Sequence, residues 1–169
     1  ASSTYAGGLL GSAQYYSNVT ITKCAVLGDL SGKGTSGGMI GYINSASTAL
    51  TLSDSYLGGK VDGNKKFGVA YNSSTLNTLS CTNFYYDSAK NPSPSSWSSF
   101  EMLNRGGSAV KATAKSTDEL KALKLDGFEA SEDFDGYPIP VWTPAAAPKP
   151  AFECVLRFDF SEVDEESYT

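Results

Sequence analysis

A 30-residue period constrains this chain more than any other feature of its sequence. The run Gly-Gly-Leu-Leu-Gly at residues 7–11 returns as Gly-Gly-Met-Ile-Gly at 37–41 and, in weaker form, as Phe-Gly-Val-Ala-Tyr at 67–71. Thr- or Ser-rich segments follow the three copies, at 19–24, 50–55 and, more loosely, 76–82. A fixed period of this length is typical of a solenoid, in which each unit buries its apolar face only against the next.

The residues inside the repeats predict strands and not helices. At 19–22 and again at 50–53, apolar residues alternate with Thr or Ser, which is the pattern of a strand with one inward face. Strands that follow one another in parallel without helical crossovers form a coil that winds on itself. We therefore predict an all-β fold, a right-handed parallel β-helix of about three coils within residues 5–86. Residues 9–10, 39–40 and 69–70 should stack on neighbouring rungs.

Beyond residue 86 the repeat is lost, and the sequence divides into three further parts. Residues 87–142 are predicted to form an irregular loop, a short helix and a capping strand that together cover the C-terminal end of the β-helix repeats at 1–86. The Pro- and Ala-rich segment 143–150 is typical of a semi-rigid linker. Residues 151–169 begin with a strand-like alternation at 152–160, predicted to be the first strand of a downstream module, and end in an acidic tail.

The short helix has a recognisable start. Ser116 and Glu119 have the spacing of a capping box, in which each side chain bonds to the backbone of the other residue. Leu120 and Leu123 give the helix one apolar face, and Gly127 is predicted to end it.

The glycine motif, the Thr-rich strand after it and the C-terminal sequence resemble the GLUG-motif repeat. The match is good over 5–64 and poor over 65–86, and residues 117–120 and 136–142 are similar to the way such repeat arrays end. That family occurs in large secreted and wall-attached bacterial proteins, including some immunoglobulin A peptidases. The resemblance implies an extracellular, secreted or cell-wall-attached protein of bacterial origin.

Composition excludes several classes of partner. The net charge is −5 and only 18% of residues are charged, so there is no basic stripe to neutralise the phosphates of a nucleic acid or of an anionic membrane. No run of about 18 apolar residues exists, so membrane insertion is not expected. Because the sequence has neither an initiator Met nor a signal peptide, we expect it to be a piece of a longer protein, with a downstream domain of the same parent as a neighbour.

The three cysteines do not have the spacing of a disulfide framework. Cys24 and Cys81 fall in similar parts of the first and third repeats, with Ser55 between them. Two rungs of a solenoid lie roughly 9–10 Å apart, beyond the Cα separation of about 7 Å that a disulfide tolerates. We predict unbridged thiols, with Cys24 and Cys81 largely buried in one row and Cys154 also free. A disulfide or a metal site is the alternative.

The sequence offers little for catalysis. It contains no His, which removes a histidine base and every nucleophile–histidine arrangement. Carboxylate pairs remain, but the acidic residues of the repeats do not fall at equivalent positions, which favours solvated turns; they are Asp29, Asp54, Asp62 and Asp87. A second acidic run lacks the spacing of a calcium loop; it comprises Glu129, Glu132, Asp133 and Asp135. We predict no enzyme activity, no cofactor and no metal.

Tyrosines supply the best candidate contacts. They concentrate in the loops after each glycine motif, at 12–18, 42–48 and 71–75, which have equivalent places in the repeat and should form one strip. Tyr is favoured in contact surfaces because it offers a large area at low entropy cost. The predicted ligand contacts are Tyr15, Tyr16, Tyr42 and Tyr71. The alternative is an aromatic ladder that packs within or along the coil.

Two functions therefore remain open from the sequence. The first is a non-catalytic extracellular binding or spacer module that contacts a host protein, adhesin-like or immunoglobulin-binding. The second is a carbohydrate-binding or carbohydrate-active module that contacts a glycan along the solenoid. The second rests on analogy with other parallel β-helices and on the supply of Tyr.

Overall fold

The computed structural model describes residues 5–14, 18–44, 49–72, 78–92 and 112–141. Within these ranges, short parallel strands stack into a solenoid of about three coils, and the fold predicted from the 30-residue period is confirmed. The residues between and beyond these ranges include Cys154, the linker 143–150 and the strand predicted at 152–160, so those predictions lie outside the described residues.

The strands follow one another in the same order in each coil. The first coil contains β1 Tyr5–Gly7, β2 Leu10–Gln14, β3 Asn18–Thr22, β4 Ala25–Val26 and β5 Leu30–Ser31. The second contains β6 Thr35–Gly37, β7 Ile40–Asn44, β8 Ala49–Leu57 and β9 Val61–Asp62, and the third contains β10 Lys65–Phe67, β11 Ala70–Asn72 and β12 Thr78–Asp87. Like strands pair in parallel, in the orders β1-β6-β10, β2-β7-β11 and β3-β8-β12, with β4 also on β8 and β5 on β9.

The register follows the sequence period in the first two of these sheets. Leu10 pairs with Ile40, and Ile40 pairs with Ala70, so the predicted stacking of 9–10, 39–40 and 69–70 is confirmed. The apolar residues of this row and the inward residues of β8 form one core cluster. Leu50 and Leu52 are fully buried in it, and each such burial contributes about 1.5–3 kcal/mol to folding.

The glycine motif is explained by the close approach of neighbouring coils. A Cβ on Gly38 would collide with the carbonyl oxygen of Gly68 in the next coil, and a Cβ on Gly8 would collide with that of Gly38. A side chain at either position would therefore push two coils apart.

A left-handed corner recurs in the third sheet at residues that the sequence analysis did not single out. Lys23, Asp54 and Asn83 have φ values of 52°, 47° and 52°, and the register of the flanking residues places them side by side. The Asn83 amide donates to Asp54 Oδ1 at 2.8 Å. Asn and Asp tolerate this conformation because their short polar side chains can bond locally. The corner interrupts the alternation of inward and outward side chains at the same point in every coil.

The predicted row of cysteines is wrong. Cys81 pairs with Leu52, which in turn pairs with Ile21, whereas the Cys24 N–H bonds to Ser55 on the far side of the corner. Both thiols are free and only half-buried. Burial raises the pKa of the Cys81 thiol.

A further strand, β13 Thr113–Lys115, lies within the segment predicted to be irregular. Its three residues pair in parallel with Tyr85, Tyr86 and Asp87 at the end of β12. It adds part of a fourth rung to the largest sheet.

The predicted helix and C-terminal strand are present. Helix α1 covers Thr117–Lys121, and both bonds of the capping box are made, from Glu119 N to Ser116 Oγ and from Ser116 N to Glu119 Oε2. The helix ends at Lys121, before the predicted stop at Gly127. Strands β14 Phe128–Ala130 and β15 Pro138–Pro140 follow as an antiparallel pair, joined through a 3-10 turn at Glu132–Phe134. No helix among the described residues is long and apolar enough to cross a membrane.

Residues 116–141, here called the strap, lie on the flank of the solenoid. Leu120 and Tyr137 form a buried cluster with Tyr56, which points outward from the second coil. The strap also reaches the first coil, where Lys23 Nζ contacts Asp126 Oδ2 at 2.6 Å. The sequence analysis placed these elements over the end of the solenoid. Instead, the short β13 lies on the last coil, and the strap returns across the side.

Candidate functional site

Three tyrosines from the three coils form a stack on one face of the solenoid. The ring centroids of Tyr5 and Tyr42 lie 4.2 Å apart with planes inclined by 7°, and those of Tyr42 and Tyr71 lie 5.6 Å apart with planes inclined by 23°. All three rings are half-buried. Tyr42 is followed by Ile43, which is fully buried in the core, so Tyr42 points outward. We call Tyr5, Tyr42 and Tyr71 the tyrosine stack.

The stack joins residues from different places in the repeat. Tyr42 pairs in register with Tyr71 on one side and with Ser12 on the other. Because Ser12 has no ring, the first coil contributes Tyr5 from the preceding strand, where its register partners are Thr35 and Lys65. The sequence analysis missed Tyr5 because the period aligns it with residues that are not aromatic. No signal in a single sequence would have placed it over Tyr42.

The third coil closes the stack with two different side chains. The Phe67 ring packs against Tyr71 at a centroid distance of 5.3 Å, and Lys65 Nζ lies 5.6 Å from the centroid of the same ring. A cation over an exposed aromatic ring contributes about 0.5–1 kcal/mol. Lys65 is exposed, whereas Phe67 is buried.

This geometry determines which part of each ring is available to a ligand. The faces of Tyr42 are turned towards Tyr5 and Tyr71, an arrangement in which each pair contributes about 0.5–1.5 kcal/mol beyond its burial. What remains on the outside are ring edges with their hydroxyl groups. The stack therefore combines the two alternatives of the sequence analysis, since it is both an aromatic ladder along the coil and a half-exposed surface.

Of the four predicted contacts, the structure brings Tyr42 and Tyr71 together. Tyr15 and Tyr16 lie outside the described residues, as do most residues of the three loops predicted to form the strip.

Tyrosines of the strap side serve packing. Tyr56 is fully buried, and its hydroxyl donates to the carbonyl oxygen of Pro138. Tyr137 packs against it with a centroid distance of 6.3 Å. Burial of the phenol, together with the nearby Tyr137 hydroxyl, raises the pKa of Tyr56 above its ordinary value. These side chains hold the strap on the coils and offer no surface to a ligand.

Three of the four repeat carboxylates make local bonds in turns. Asp29 accepts from the Lys60 N–H at 2.8 Å, and Asp54 accepts from Asn83. Asp62 Oδ1 pairs with Lys66 Nζ at 2.8 Å, and this hydrogen bond holds the pKa of Asp62 below its ordinary value. They lie in different turns, which is consistent with the solvated interpretation.

Asp87 contradicts that interpretation because it is fully buried. One carboxylate oxygen accepts from the N–H groups of Ala89 and Lys90 at 2.9 and 3.1 Å. The other accepts from Thr117 Oγ1 at 2.7 Å and from the Tyr137 hydroxyl at 3.2 Å. Asp87 thus joins the end of the third coil to the strap, and all of its visible partners are structural.

The acidic run of the strap is exposed on the surface. Glu129, Glu132, Asp133 and Asp135 all lie in contact with solvent, and Asp135 pairs with Lys121 at 2.8 Å. Within the described ranges, no group of three or more Cys, Asp or Glu side chains is placed to hold a metal ion.

Comparison of the chain with family models, with curated proteins and with solved structures gave no match. The resemblance to the GLUG-motif repeat stays a prediction.

Proposed function

We propose that this chain is a non-catalytic binding or spacer module of a bacterial surface protein, secreted or attached to the cell wall, and that it contacts a host protein through Tyr5, Tyr42 and Tyr71. The observation that carries the proposal is the tyrosine stack, whose rings are held rigidly against one another on an outward face. The resemblance to the GLUG-motif repeat supports the extracellular location.

The proposal follows from what a rigid row of phenols offers a partner. The rings are already ordered by their neighbours, so little side-chain entropy is lost on contact. Tyr edges and hydroxyls supply both apolar area and hydrogen bonds, a combination that is enriched at protein interfaces. The net charge of −5 disfavours nucleic acid and anionic lipid as partners.

Contact with a glycan is the second candidate function, and the stack supports it less well. An aromatic ring that binds a sugar commonly does so through its flat face. In the stack, both faces of Tyr42 are turned towards neighbouring rings, and Tyr71 is further flanked by Phe67 and Lys65.

Catalysis on a glycan has weaker support still. The sequence has no His, and the four acidic residues of the repeats serve different turns or the strap.

Surface plasmon resonance with immobilised immunoglobulin G, immunoglobulin A and mucin would test the proposal. The triple variant Tyr5→Phe, Tyr42→Phe, Tyr71→Phe keeps the stacked rings and removes three hydroxyls. We expect it to weaken binding of a protein ligand at least tenfold, since each hydrogen bond lost is worth about 0.5–1.5 kcal/mol. Tyr85→Phe is the matched control, because Tyr85 is also half-buried but lies beside the strap.

The outcomes separate the candidate functions. Binding to mucin that glycan removal abolishes would favour the glycan candidate. Binding of an immunoglobulin that is unchanged in the triple variant would show that the stack only stabilises the fold, and the proposed contact surface would be wrong.

A further inference from the structure

Two glycines of the first coil stand where their counterparts in the second coil are sterically required. A Cβ on Gly41 would lie 2.5 Å from the carbonyl oxygen of Gly11, and a Cβ on Gly59 would collide with the carbonyl of Gly28. In both cases the obstacle is backbone of the preceding coil, closer than the 3.0 Å that real Cβ atoms keep. Glycine is therefore needed at these two places wherever another coil lies before.

Gly11 and Gly28 have no such obstacle among the described residues. No described atom lies within 4 Å of the place where a Cβ of either glycine would stand. Neither residue has a backbone conformation that favours glycine, since the positive φ angles of glycines occur at Gly63, Gly127 and Gly136. Glycine also weakens a strand, because it loses more conformational freedom on folding than other residues. Nothing in the three described coils explains glycine at both positions.

The same face of the first coil exposes apolar side chains that are buried in the other coils. Leu9 and Leu10 are 47% and 38% exposed, whereas Met39, Ile40, Val69 and Ala70 are fully buried. The carbonyl of Met39 accepts from the N–H groups of Leu9 and Leu10, and the carbonyl of Val69 accepts from Met39 and Ile40. The carbonyl of Leu9 has the equivalent position for two N–H groups of a coil before it.

We propose that the N-terminal face of the first coil, defined by Leu9, Leu10, Gly11 and Gly28, is a stacking surface for one more coil of the same 30-residue repeat, supplied upstream in the same polypeptide. The backbone of that coil would place carbonyl oxygens over Gly11 and Gly28 and would cover the two leucines. This inference does not depend on the proposed function.

A second copy of this chain fits the surface less well. Gly28 requires a backbone carbonyl from the coil before it, as Gly59 receives one from Gly28. At the corresponding corner of the third coil, a side chain replaces a strand. Asn91 Oδ1 accepts from Val61 N at 2.8 Å, and Asn91 Nδ2 donates to Gly59 O at 2.9 Å. The C-terminal face therefore does not present at this corner the backbone that an upstream coil would.

The test compares Gly11→Ala with its matched control Gly41→Ala in two proteins. The first is the 169-residue chain. The second is a four-coil protein in which a copy of residues 35–64 replaces residues 1–4, so that Asn64 of the copy precedes Tyr5 as it precedes Lys65 in the chain itself. In the chain, we expect Gly41→Ala to lower the urea midpoint of unfolding and Gly11→Ala to leave it unchanged. In the four-coil protein, both substitutions should lower the midpoint by similar shifts.

Each other result overturns the proposal. If Gly11→Ala lowers the midpoint in the 169-residue chain as much as Gly41→Ala does, another segment of this chain already covers the face. If light scattering finds a dimer of the unmodified chain that Gly11→Ala dissociates, a second copy covers it. A second four-coil protein, built with a copy of residues 5–34, guards against a poor choice of added coil. If neither four-coil protein folds, or if Gly11→Ala is neutral in both, the face does not accept a coil.

Discussion

Lys23 in the first coil and Asp126 in the strap form an ion pair in which Nζ and Oδ2 lie 2.6 Å apart, although 103 residues separate them in the sequence. A second pair, Lys121 with Asp135 at 2.8 Å, lies within the strap. Hydrogen bonds to the two lysines hold the pKa values of Asp126 and Asp135 below their ordinary values.

These pairs predict a loss of stability in acid. A carboxyl whose pKa is lowered by folding contributes stability above its unfolded pKa, ordinarily 3.8, and loses it as the pH falls through the folded value. The thermal midpoint of the chain should therefore exceed that of the double variant Asp126→Asn, Asp135→Asn by a small constant amount between about pH 5 and 8, and the difference should vanish near about pH 2. A difference that persists at the lowest pH would show that the pairs do not act through charge.

Leu120 should be the main apolar anchor of the strap. It is fully buried against Tyr56 and Tyr137, so Leu120→Ala should lower the free energy of unfolding by about 2–5 kcal/mol. Leu52→Ala, at a fully buried site in the solenoid core, should cost a similar amount. Hydrogen exchange should separate them, with protection lost first over 116–141 in the Leu120 variant. Equal loss of protection in every coil would contradict an independent role for the strap.

Asp87 should be intolerant of substitution by Asn. Its two oxygens accept four hydrogen bonds, whereas an Asn amide replaces one acceptor oxygen with a donor. Leaving buried donors unpaired should cost about 1–3 kcal/mol in unfolding free energy, measured by urea titration. Asp29→Asn is the control, because Asp29 is exposed and only its Oδ1 is seen to accept. A neutral Asp87→Asn variant would show that water satisfies these donors.

The left-handed corner should favour Asn or Gly at residue 83. Asn83→Ala should cost about 1–2 kcal/mol, because a Cβ-bearing residue without a local polar bond is disfavoured there, and it also loses the bond to Asp54. Asn83→Gly restores the conformational part alone, so it should unfold at an intermediate urea concentration. If Ala and Gly are equally destabilising, the conformation is not the cause.

The thiols should differ in reactivity between the folded and unfolded chain. Burial raises the pKa of Cys81, which lowers its thiolate fraction, so iodoacetamide should modify it at least about tenfold more slowly in the native protein. After denaturation, titration with a thiol reagent should find all three cysteines, Cys154 included. Fewer than three thiols would mean that a disulfide forms.

The sequence period predicted the strands because the sheets formed by β1-β6-β10 and β2-β7-β11 keep it. The third sheet does not, since Ala49 follows Asn18 by 31 residues and Thr78 follows Ala49 by 29. The change in spacing moved Cys81 out of the row that holds Cys24. The left-handed corner was hidden for a related reason. Lys, Asp and Asn share the conformation there, but not an obvious sequence pattern.

The candidate site was predictable only in part. Tyr42 and Tyr71 occupy one register row, so the repeat placed them together. Tyr5 reaches the stack from a neighbouring strand because Ser12 leaves space, which is a packing effect across the first coil and not a property of the period. In the same way, the spacing of Leu120 and Leu123 predicted an apolar helix face but did not specify which surface of the solenoid it would cover.

The strap changes how this solenoid comes apart. In a simple repeat stack, each unit is coupled only to its neighbours, and the terminal unit can fray without disturbing the rest. Here the first coil is also bonded to Asp126, which lies beyond the last rung in sequence. Opening the N-terminal coil therefore breaks contacts of the strap as well. The strap thereby couples the two ends of the array, so unfolding should be closer to a single cooperative transition. The same long-range contact should slow folding, because a loop of about a hundred residues must close before it forms.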